Sequence, residues 1–506
     1  MKKYFWLKFI VLALFLGVSN QSCTDLEEEL FEQVTPDRFF QSDEEFIAAL
    51  GAAYTSLYGY GGNGNIYSLQ EVTSDEMVVP TRGNDWNDGG HWRRLHTHQY
   101  NSEDDIIGGG WSFLFGGINT CNRLIFQFTE LQAPGSEAFI AELKALRALY
   151  YLWAMDTYGN VPIVTDFNVP EGFTPDQNTR AQVYAFVESE LTSGLANLSQ
   201  AVDGTTYGRM NYYAAQAALA KLYLNAEVYT GTAQWQKAID ACDAILNSGK
   251  YSLTANYRDN FVTDNGNSKE LILAIPYDQV FARGFNLPMM TLHYGSQGTY
   301  NLTAQPWNGF CSLEEFYNSY DDADARKANN FVVGPQKNSD GTPVLDNGFD
   351  DPDGAELNFT PKINELGPQA HRQAGARVGK FEFKNGATDN LSNDFPIFRL
   401  ADIMLMKAEA LVRLNKAGDA LALVNPLRAR AGVPEYSAAD LTLDELLAER
   451  GREMFSEVYR RSDLIRFGKY NSAWWEKPVS DPSKNIFPIP RGQLDANKKL
   501  KQNPGY

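Results

Sequence analysis

Two pairs of helix-forming segments, each rich in small residues, constrain the fold of this chain more than any other feature. The first pair, Arg209–Thr230 and Ala233–Asn247, carries alanine at six positions of its first segment. The second pair is Ala401–Leu414 with Gly418–Ala431. Small residues at helical spacing let two helices approach closely, so each pair is predicted to form a helix hairpin. Because repeated hairpins stack side by side, we expect a helical scaffold.

Weaker copies of the same pattern extend this scaffold. Trp111–Leu131 and Ser136–Asp156 predict two antiparallel helices, and Tyr184–Leu198 predicts a further one. An amphipathic helix is expected from Asp43 to Tyr58. The spacing resembles that of tetratricopeptide repeats. The predicted fold class is therefore mostly α, with a tetratricopeptide-like helical-repeat scaffold.

Two stretches lack helical periodicity and are rich in Gly, Asn and Asp. The first, Ile66–Gly110, predicts a long ordered loop region, and such regions are often functional. The second is an insertion with strand-like pieces at Leu271–Ile275 and Lys380–Phe383. It is too long for a structureless loop in a compact domain, so it should fold as an irregular, loop-rich part. The predicted division is a scaffold at about 41–250 and 395–470, the insertion at about 251–394 and an extended tail at 471–506.

A charged stretch, Leu446–Gly468, follows the last hairpin. As one helix it would align Leu447, Gly451, Met454 and Val458 on its inner face, with Gly451 at a close helix crossing. Many charged residues surround this stripe. A solvated face is the usual meaning of such a run, and an ion-paired contact between helix layers is the alternative. The charged residues are Glu449, Arg450, Arg452, Glu453, Glu457, Arg460, Arg461, Asp463 and Arg466.

This stretch also resembles a signature of the SusD/RagB family, "ER-x-x-E…EG-x-R-x-x-DL-x-R-[FW]-G". It departs at Val458, where the family usually has Gly. Residues 143–164 resemble the family's "LRALYYF…YGDVP", and Ile486–Tyr506 resembles its closing "YPIP…E…N-x-x-L-x-QNPGY". The resemblance runs from Cys23 to Tyr506 and implies an outer-membrane, glycan-binding lipoprotein with a SusD-like fold. The matching residues of the charged stretch are Glu449, Arg450, Glu453, Glu457, Arg460, Asp463, Leu464, Arg466 and Gly468.

The first 22 residues have the pattern of a signal peptide. Lys2, Lys3 and Lys8 precede the apolar run Phe9–Val18, which is too short to span a bilayer as a helix. Cys23 then follows as a predicted lipidation site, although Asn20 departs from the usual lipobox. The lipid would hold the protein at the outer membrane, facing outward from the cell surface. The alternative is ordinary secretion, with Cys23 removed or free.

Composition and motifs argue against several classes of function. The net charge of −19 opposes binding to nucleic acid, whose phosphates require basic surfaces, and makes a polyanionic ligand less favoured. The chain has no GxSxG, HExxH, P-loop or GxGxxG motif, so no catalytic residue is assigned and the protein is not predicted to be an enzyme. No cofactor is implied.

Metal and disulfide sites are likewise not predicted. The histidines of HWRRLHTH, at 91, 96 and 98, lack a carboxylate or thiol at a matching spacing. The acidic cluster Asp350, Asp351 and Asp353 could hold calcium, but the EF-hand spacing fails. Three cysteines beyond Cys23 show no CxxC spacing, and Cys121 and Cys242 are expected to be buried free thiols.

Two loops combine aromatic and polar side chains as a sugar site requires. Aromatic rings stack on the C–H faces of sugars, while amides, carboxylates and guanidinium groups bind the hydroxyls. In the first loop Trp86 stands in a polar, Gly-rich setting, and in the second Trp307 lies beside Asn308 and Gly309. Packing of each ring within its loop is the alternative. The candidate ligand-binding residues are Asp75, Arg82, Asn84, Trp86, Asn87, His293, Tyr294, Trp307, Asn308 and Phe310.

The resemblance adds residue roles and a partner. Starch-binding members have a Trp and an Asn in the loop after a "NELPTDE"-like run, which corresponds here to Gln70–Glu76. They also have a Trp in an Asn-Gly-Trp run, matched here by Asn308–Phe310. The implied function is capture of an oligo- or polysaccharide for a SusC-like TonB-dependent transporter. The alternatives are a tetratricopeptide-type protein-interaction scaffold, a peptide-binding lid of the same transporter and a glycoside hydrolase.

Overall fold

The computed structural model describes residues 43–131, 135–346 and 355–506. The predicted signal peptide, Cys23 and the acidic cluster Asp350, Asp351 and Asp353 lie outside these residues. Within them, no helix has the length and apolar character needed to cross a membrane.

Helices account for most of the regular structure in the described residues. The long ones lie at the two ends of the described chain, and the segment between them carries short helices. In chain order they are α1 Asp43–Thr55, α2 Ile66–Glu71, α3 His91–His96, α4 Asp105–Leu131, α5 Ser136–Tyr158, α6 Arg180–Gly194, α7 Tyr212–Leu224, α8 Ala226–Thr230, α9 Trp235–Leu246, α10 Leu287–Thr291, α11 Ser296–Tyr300, α12 Glu314–Asn318, α13 Ala325–Asn330, α14 Leu400–Arg413, α15 Ala417–Ala431, α16 Leu443–Met454, α17 Arg460–Arg466 and α18 Arg491–Ala496.

The long helices pack in consecutive pairs. Helix α4 packs on α5, α5 on α6, α7 on α9, α9 on α14 and α14 on α15. The alanines of α7 are fully buried, which allows the close approach of α9. This arrangement confirms the predicted mostly α, helical-repeat scaffold.

One predicted helix, Arg209–Thr230, is divided into α7 and α8. The division falls at Asn225, whose backbone leaves the helical region. Its side-chain oxygen accepts a hydrogen bond of 2.9 Å from Arg466 Nη1, and its amide nitrogen donates to the carbonyl of Lys221. The partner Arg466 lies far along the chain, so local propensity could not predict the break.

Strands are short and form two-stranded antiparallel pairs. Strand β2 pairs with β10, which leads directly into α14, and β1 pairs with β3. The remaining pairs are β4 with β9, β5 with β8 and β6 with β7. In chain order the strands are β1 Met77–Val78, β2 Leu271–Ile275, β3 Cys311–Ser312, β4 Phe331–Val332, β5 Gly334–Pro335, β6 Leu345–Asp346, β7 Ala355–Glu356, β8 Asn358–Phe359, β9 Arg377–Val378 and β10 Phe395–Arg399.

The two predicted strands of the insertion have different outcomes. Leu271–Ile275 is confirmed as β2, and all of its residues are buried. The strand predicted at Lys380–Phe383 is wrong, because that segment is irregular. Lys380 is turned inward, and its ammonium donates to Glu457 and to the carbonyl of Phe455. Lys380 therefore forms an ion pair where the backbone hydrogen bonds of a β-strand were expected.

The charged stretch is two helices rather than one. Helix α16 ends at Met454, α17 begins at Arg460, and between them Ser456 and Val458 have φ of 61° and 69°. A β-branched residue at such a φ is rare, which explains why glycine suits position 458 in the related signature. The backbone N–H groups of Ser456 and Val458 donate to buried carboxylates, Glu76 at 3.0 Å and Glu71 at 2.6 Å. These long-range contacts break the predicted helix.

The charges of this stretch are buried and paired. Glu453 accepts from Arg326 at 3.0 Å and from Arg399 at 2.8 Å, and Glu457 accepts from Lys380 at 2.5 Å and from Arg399 at 2.7 Å. All five side chains are buried. The solvated face, the usual interpretation, is wrong here, and the ion-paired alternative is confirmed. We call these residues the buried ion cluster, together with Glu449, Arg430 and Glu270.

The buried ion cluster should make the fold acid-sensitive. Burial disfavours ionised Glu449, but the guanidinium groups of Arg326 and Arg452 outweigh it and lower the pKa of Glu449 to about 2 from its ordinary 4.5. Such a carboxylate stabilises the fold above pH 4.5, and this contribution is lost as the pH falls through the folded pKa, a difference of about 3 kcal/mol. In urea unfolding, the stability gap between the parent and Glu449→Gln should shrink by that amount between about pH 6 and pH 2. A stability difference that does not change with pH would contradict the pairing of Glu449 with Arg326 and Arg452.

Candidate functional site

The first candidate loop is fixed at its base by the scaffold. Asp75 accepts hydrogen bonds from Arg460 at 2.6 and 2.8 Å. The carboxylate of Glu76 accepts one from the backbone N–H of Ser456, between α16 and α17. Burial raises the pKa of Glu76 above its ordinary range, and neighbouring Glu71 adds to that rise. The carboxylate of Asp75 is paired with Arg460 at the loop base, and its contact with a ligand stays a prediction.

Trp86 is largely packed inside the loop. Its side chain is 9% exposed, and its backbone adopts a left-handed φ of 56°. The ring packs edge-on against Trp92 and Phe310, with centroids 5.2 and 5.5 Å away. A Cβ at Gly309 would lie 2.3 Å from Trp86 Cε2, so the observed position of the Trp86 indole requires glycine at position 309. Trp86 therefore exposes little of its surface.

Trp307 presents its ring to the outside. The side chain is 40% exposed, and its centroid lies 6.2 Å from that of Trp86. Both backbone polar groups of Trp307 are hydrogen-bonded. Its N–H donates to the carbonyl of Met289 at 2.8 Å, and its carbonyl accepts from Trp86 Nε1 at 2.7 Å. The exposed indole therefore sits on a fixed backbone.

Three predicted contact residues are buried and support the loops instead. Arg82 donates to the carbonyls of Asn308 and Gly309, both at 2.8 Å, and to that of Ala374 at 2.9 Å. Asn308 is fully buried, and its amide donates to a backbone carbonyl at 3.1 Å. Phe310 lies fully buried under Trp86. The prediction of direct ligand contact is corrected for Arg82, Asn308 and Phe310.

Tyr294 and His293 lie where the two loops meet. Tyr294 is half-buried, and its hydroxyl donates to Asp85. Burial, with the carboxylate of Asp85, raises the pKa of Tyr294, so the hydroxyl stays protonated. His293 is buried, its Nδ1 accepts from the N–H of Gly295 at 3.0 Å, and burial lowers the pKa of its imidazole. His293 is therefore neutral at ordinary pH.

These side chains surround a cleft, which we call the Trp307 cleft. Its volume is about 490 Å³, and Trp307, Trp86 and Tyr294 supply aromatic surface beside polar groups. Asn84 and Asn87 are exposed on the same loop but outside this lining. Sequence reasoning missed several polar members, although Asp85 and Asp88 stand within the first loop. The lining is Asn63, Asp85, Trp86, Asp88, Tyr294, Gln305, Pro306 and Trp307.

The candidate histidines and cysteines have structural surroundings. His96 Nε2 lies 2.8 Å from the carbonyl of Trp475, and His98 Nε2 lies 2.9 Å from that of Thr73. Within residues 43–131, 135–346 and 355–506, no group of three or more metal-binding side chains is assembled. The three cysteines at 121, 242 and 311 are buried free thiols.

Comparison with known proteins places the sequence and the fold. A protein-family model described as "SusD family" matches residues 229–506, and one described as "Starch-binding associating with outer membrane" matches residues 28–224. The starch-binding protein SusD of Bacteroides thetaiotaomicron is 29% identical over 411 residues, which cover 72% of each chain. SusD-like protein P38 of Formosa agariphila is 24% identical over 530 residues, which cover all of both chains.

Solved structures share the fold. A laminarin binding SusD-like protein has a TM-score of 0.73 at 24% identity, covering 92% of this chain and 100% of the other. Surface glycan-binding protein A from Bacteroides thetaiotaomicron, in complex with laminarihexaose, has a TM-score of 0.72 at 23% identity. That match covers 91% of this chain and 99% of the other. These likenesses establish the architecture of the chain.

Proposed function

The chain belongs to the SusD family of glycan-binding proteins, and from this we propose that it captures an oligo- or polysaccharide at the cell surface for a SusC-like TonB-dependent transporter. The observation that carries the proposal is the exposed indole of Trp307. It is 40% exposed, has a fixed backbone and stands in a cleft lined by hydroxyl-binding groups. Large exposed rings in concave polar surroundings are typical of ligand sites.

The chemistry of the Trp307 cleft suits a neutral sugar chain. The indole face of Trp307 would stack on the C–H face of a sugar ring. The carboxylates of Asp85 and Asp88 accept hydrogen bonds from hydroxyls, and the Gln305 amide both donates and accepts. Among the described residues that line this cleft, the charged side chains are both acidic, which disfavours an anionic glycan.

Membrane attachment and delivery form the second part of the proposal. Lipidation of Cys23 would hold the cleft outside the cell, close to the transporter. The match to a family described as associating with the outer membrane supports this location. Two relatives point to the ligand class, since one is a starch-binding protein and the other was solved with laminarihexaose. Tethering next to the transporter would compensate for a weak intrinsic affinity.

Native affinity electrophoresis against a panel of neutral and uronate-containing polysaccharides tests the binding function. We expect at least one neutral polysaccharide to retard the protein, relative to a gel without polysaccharide and to a non-binding protein of similar size. Incubation with that polysaccharide should release no reducing ends. Absence of retardation by every glycan would refute the proposal, and release of reducing ends would favour a glycoside hydrolase. Co-purification from solubilised outer membranes tests the transporter partner.

A further inference from the structure

A second depression adjoins the Trp307 cleft and has a buried arginine in its wall. Its volume is about 530 Å³, within the range of ligand pockets, about 300–1,000 Å³. It shares Asp85, Tyr294 and Gln305 with the Trp307 cleft, so the two depressions adjoin, and together we call them the groove. We call it the Arg372 pocket, and its own members include His293, Leu345, Asp346 and Arg372.

Arg372 has donors that the described residues leave open. Its side chain is 5% exposed, and among these residues its Nε and Nη1 have no hydrogen-bond partner. The nearest carboxylate oxygen, Asp346 Oδ1, lies 3.6 Å from Nη1, which is too long for a hydrogen bond. The guanidinium lies 5.7 Å from the ring centroid of Tyr294. Buried N–H groups are normally satisfied, so this guanidinium is arranged to bind something that enters the pocket.

His293 directs its ring proton toward Asp346. Because its Nδ1 accepts from the backbone N–H of Gly295, the proton of the neutral ring resides on Nε2. That nitrogen lies 3.3 Å from Asp346 Oδ1 at the pocket wall. The pocket therefore offers the donors of Arg372 beside the carboxylates of Asp85 and Asp346, with the His293 ring directed at Asp346.

The charges of the pocket decide the class of ligand. Among the residues that line the pocket, the single guanidinium of Arg372 faces the carboxylates of Asp85 and Asp346, and burial lowers the pKa of the His293 imidazole. A ligand carboxylate or sulfate would meet Asp85 and Asp346 as well as Arg372, and like charges repel at such distances. A neutral sugar offers hydroxyl hydrogens to the carboxylates and oxygens to Arg372, so it satisfies both sets.

Resting on the proposed function, we infer that the Arg372 pocket holds a second, uncharged sugar unit of the same glycan that stacks on Trp307, with Arg372 donating to its oxygens. Because the two depressions share a wall, one glycan chain can occupy both places. Affinity should therefore rise when the glycan becomes long enough to reach the pocket. Arg372 should contribute to that rise and not to the binding of shorter chains.

Calorimetric titration with oligosaccharides of increasing length, cut from a polysaccharide that retards the parent, tests this inference. In the parent, the longer chains should bind about tenfold or more tightly than the shorter ones, as expected for charge-assisted hydrogen bonds. Arg372→Gln should lose this gain and bind the short chains as the parent does. Arg372→Lys, which keeps one charged donor, should recover part of it. Thermal denaturation checks that each variant is folded.

A variant that fills the Arg372 pocket provides a second test of the inference if Arg372→Gln does not fold. Leu345 is 45% exposed on the rim, and Leu345→Trp should fill the pocket without altering Arg372. Its matched control is Val479→Trp, at an exposed position outside the groove. Leu345→Trp should lose the length-dependent gain, and the control should keep it.

Two results would overturn the inference while leaving the proposed function intact. One is an unchanged gain with chain length in both Arg372→Gln and Leu345→Trp. The other is equal binding of a uronate-bearing chain and its neutral counterpart. A parent that binds no glycan of any length would instead refute the proposed function itself.

Discussion

Replacing Trp307 by alanine is expected to weaken glycan binding by roughly 30-fold or more, since loss of a central tryptophan at a binding site typically costs about 2 kcal/mol or more. The ring supplies the exposed apolar surface of the Trp307 cleft. The fold should persist, because Trp307 is held by backbone hydrogen bonds to Met289 and Trp86 that alanine can also make. Calorimetric titration with a glycan that retards the parent measures the loss, and thermal denaturation verifies the fold.

Phe281→Ala is the matched control for this substitution. Phe281 is 91% exposed and does not line the cleft, so its removal tests whether any exposed ring supports retention. If Trp307→Ala and Phe281→Ala bind the glycan with equal affinity, the binding site does not include Trp307. Trp86→Ala is less informative, because Trp86 is packed against Trp92 and Phe310 and its loss would disturb the loop itself.

Replacing Glu453 by glutamine is expected to lower the free energy of unfolding by about 3–5 kcal/mol, the usual cost of leaving buried charges unpaired. Glu453 accepts from three arginines, Arg326, Arg399 and Arg430. Burial opposes its ionisation, but these guanidinium groups outweigh it and hold the pKa of Glu453 well below its ordinary range. Glutamine keeps the shape and removes the charge, so the variant isolates the electrostatic contribution.

Urea unfolding at neutral pH measures this effect, with Glu445→Gln as the control. Glu445 is exposed on the first turn of the same helix, where a negative charge contributes up to about 1 kcal/mol, and its substitution should change stability by no more than that. If Glu453→Gln lowers the free energy of unfolding by less than about 1 kcal/mol, the neighbouring carboxylates are sufficient to balance the charges of the three arginines, and the expectation is wrong.

The scaffold was largely predictable because its signal is local. Helical spacing and buried alanines in α7 and α14 determine which faces pack, and the corresponding hairpins are present. The ends of the helices were less predictable where distant residues decide them. The break after Met454 depends on Glu71 and Glu76, and nothing within 446–468 other than Val458 hinted at it.

The site was predicted only in part, for a similar reason. Trp307, Trp86 and Tyr294 do line one cleft, and their contact with a glycan stays a prediction. Loop composition could not reveal that Arg82 directs its guanidinium to backbone carbonyls rather than to solvent. Likewise, no spacing in the sequence links Arg372 to Trp307, and only the folded insertion brings them to one groove.

The contacts between Asp75 and Arg460, and between Glu71 and Val458, join residues that lie 385 and 387 positions apart in the chain. The base of the loop that carries Trp86 therefore cannot be secured until α17 has emerged. A chain that ends before α17 would lack the contacts that fix this loop, even if its earlier helices had already formed. Assembly of the candidate site thus depends on completion of the chain through α17.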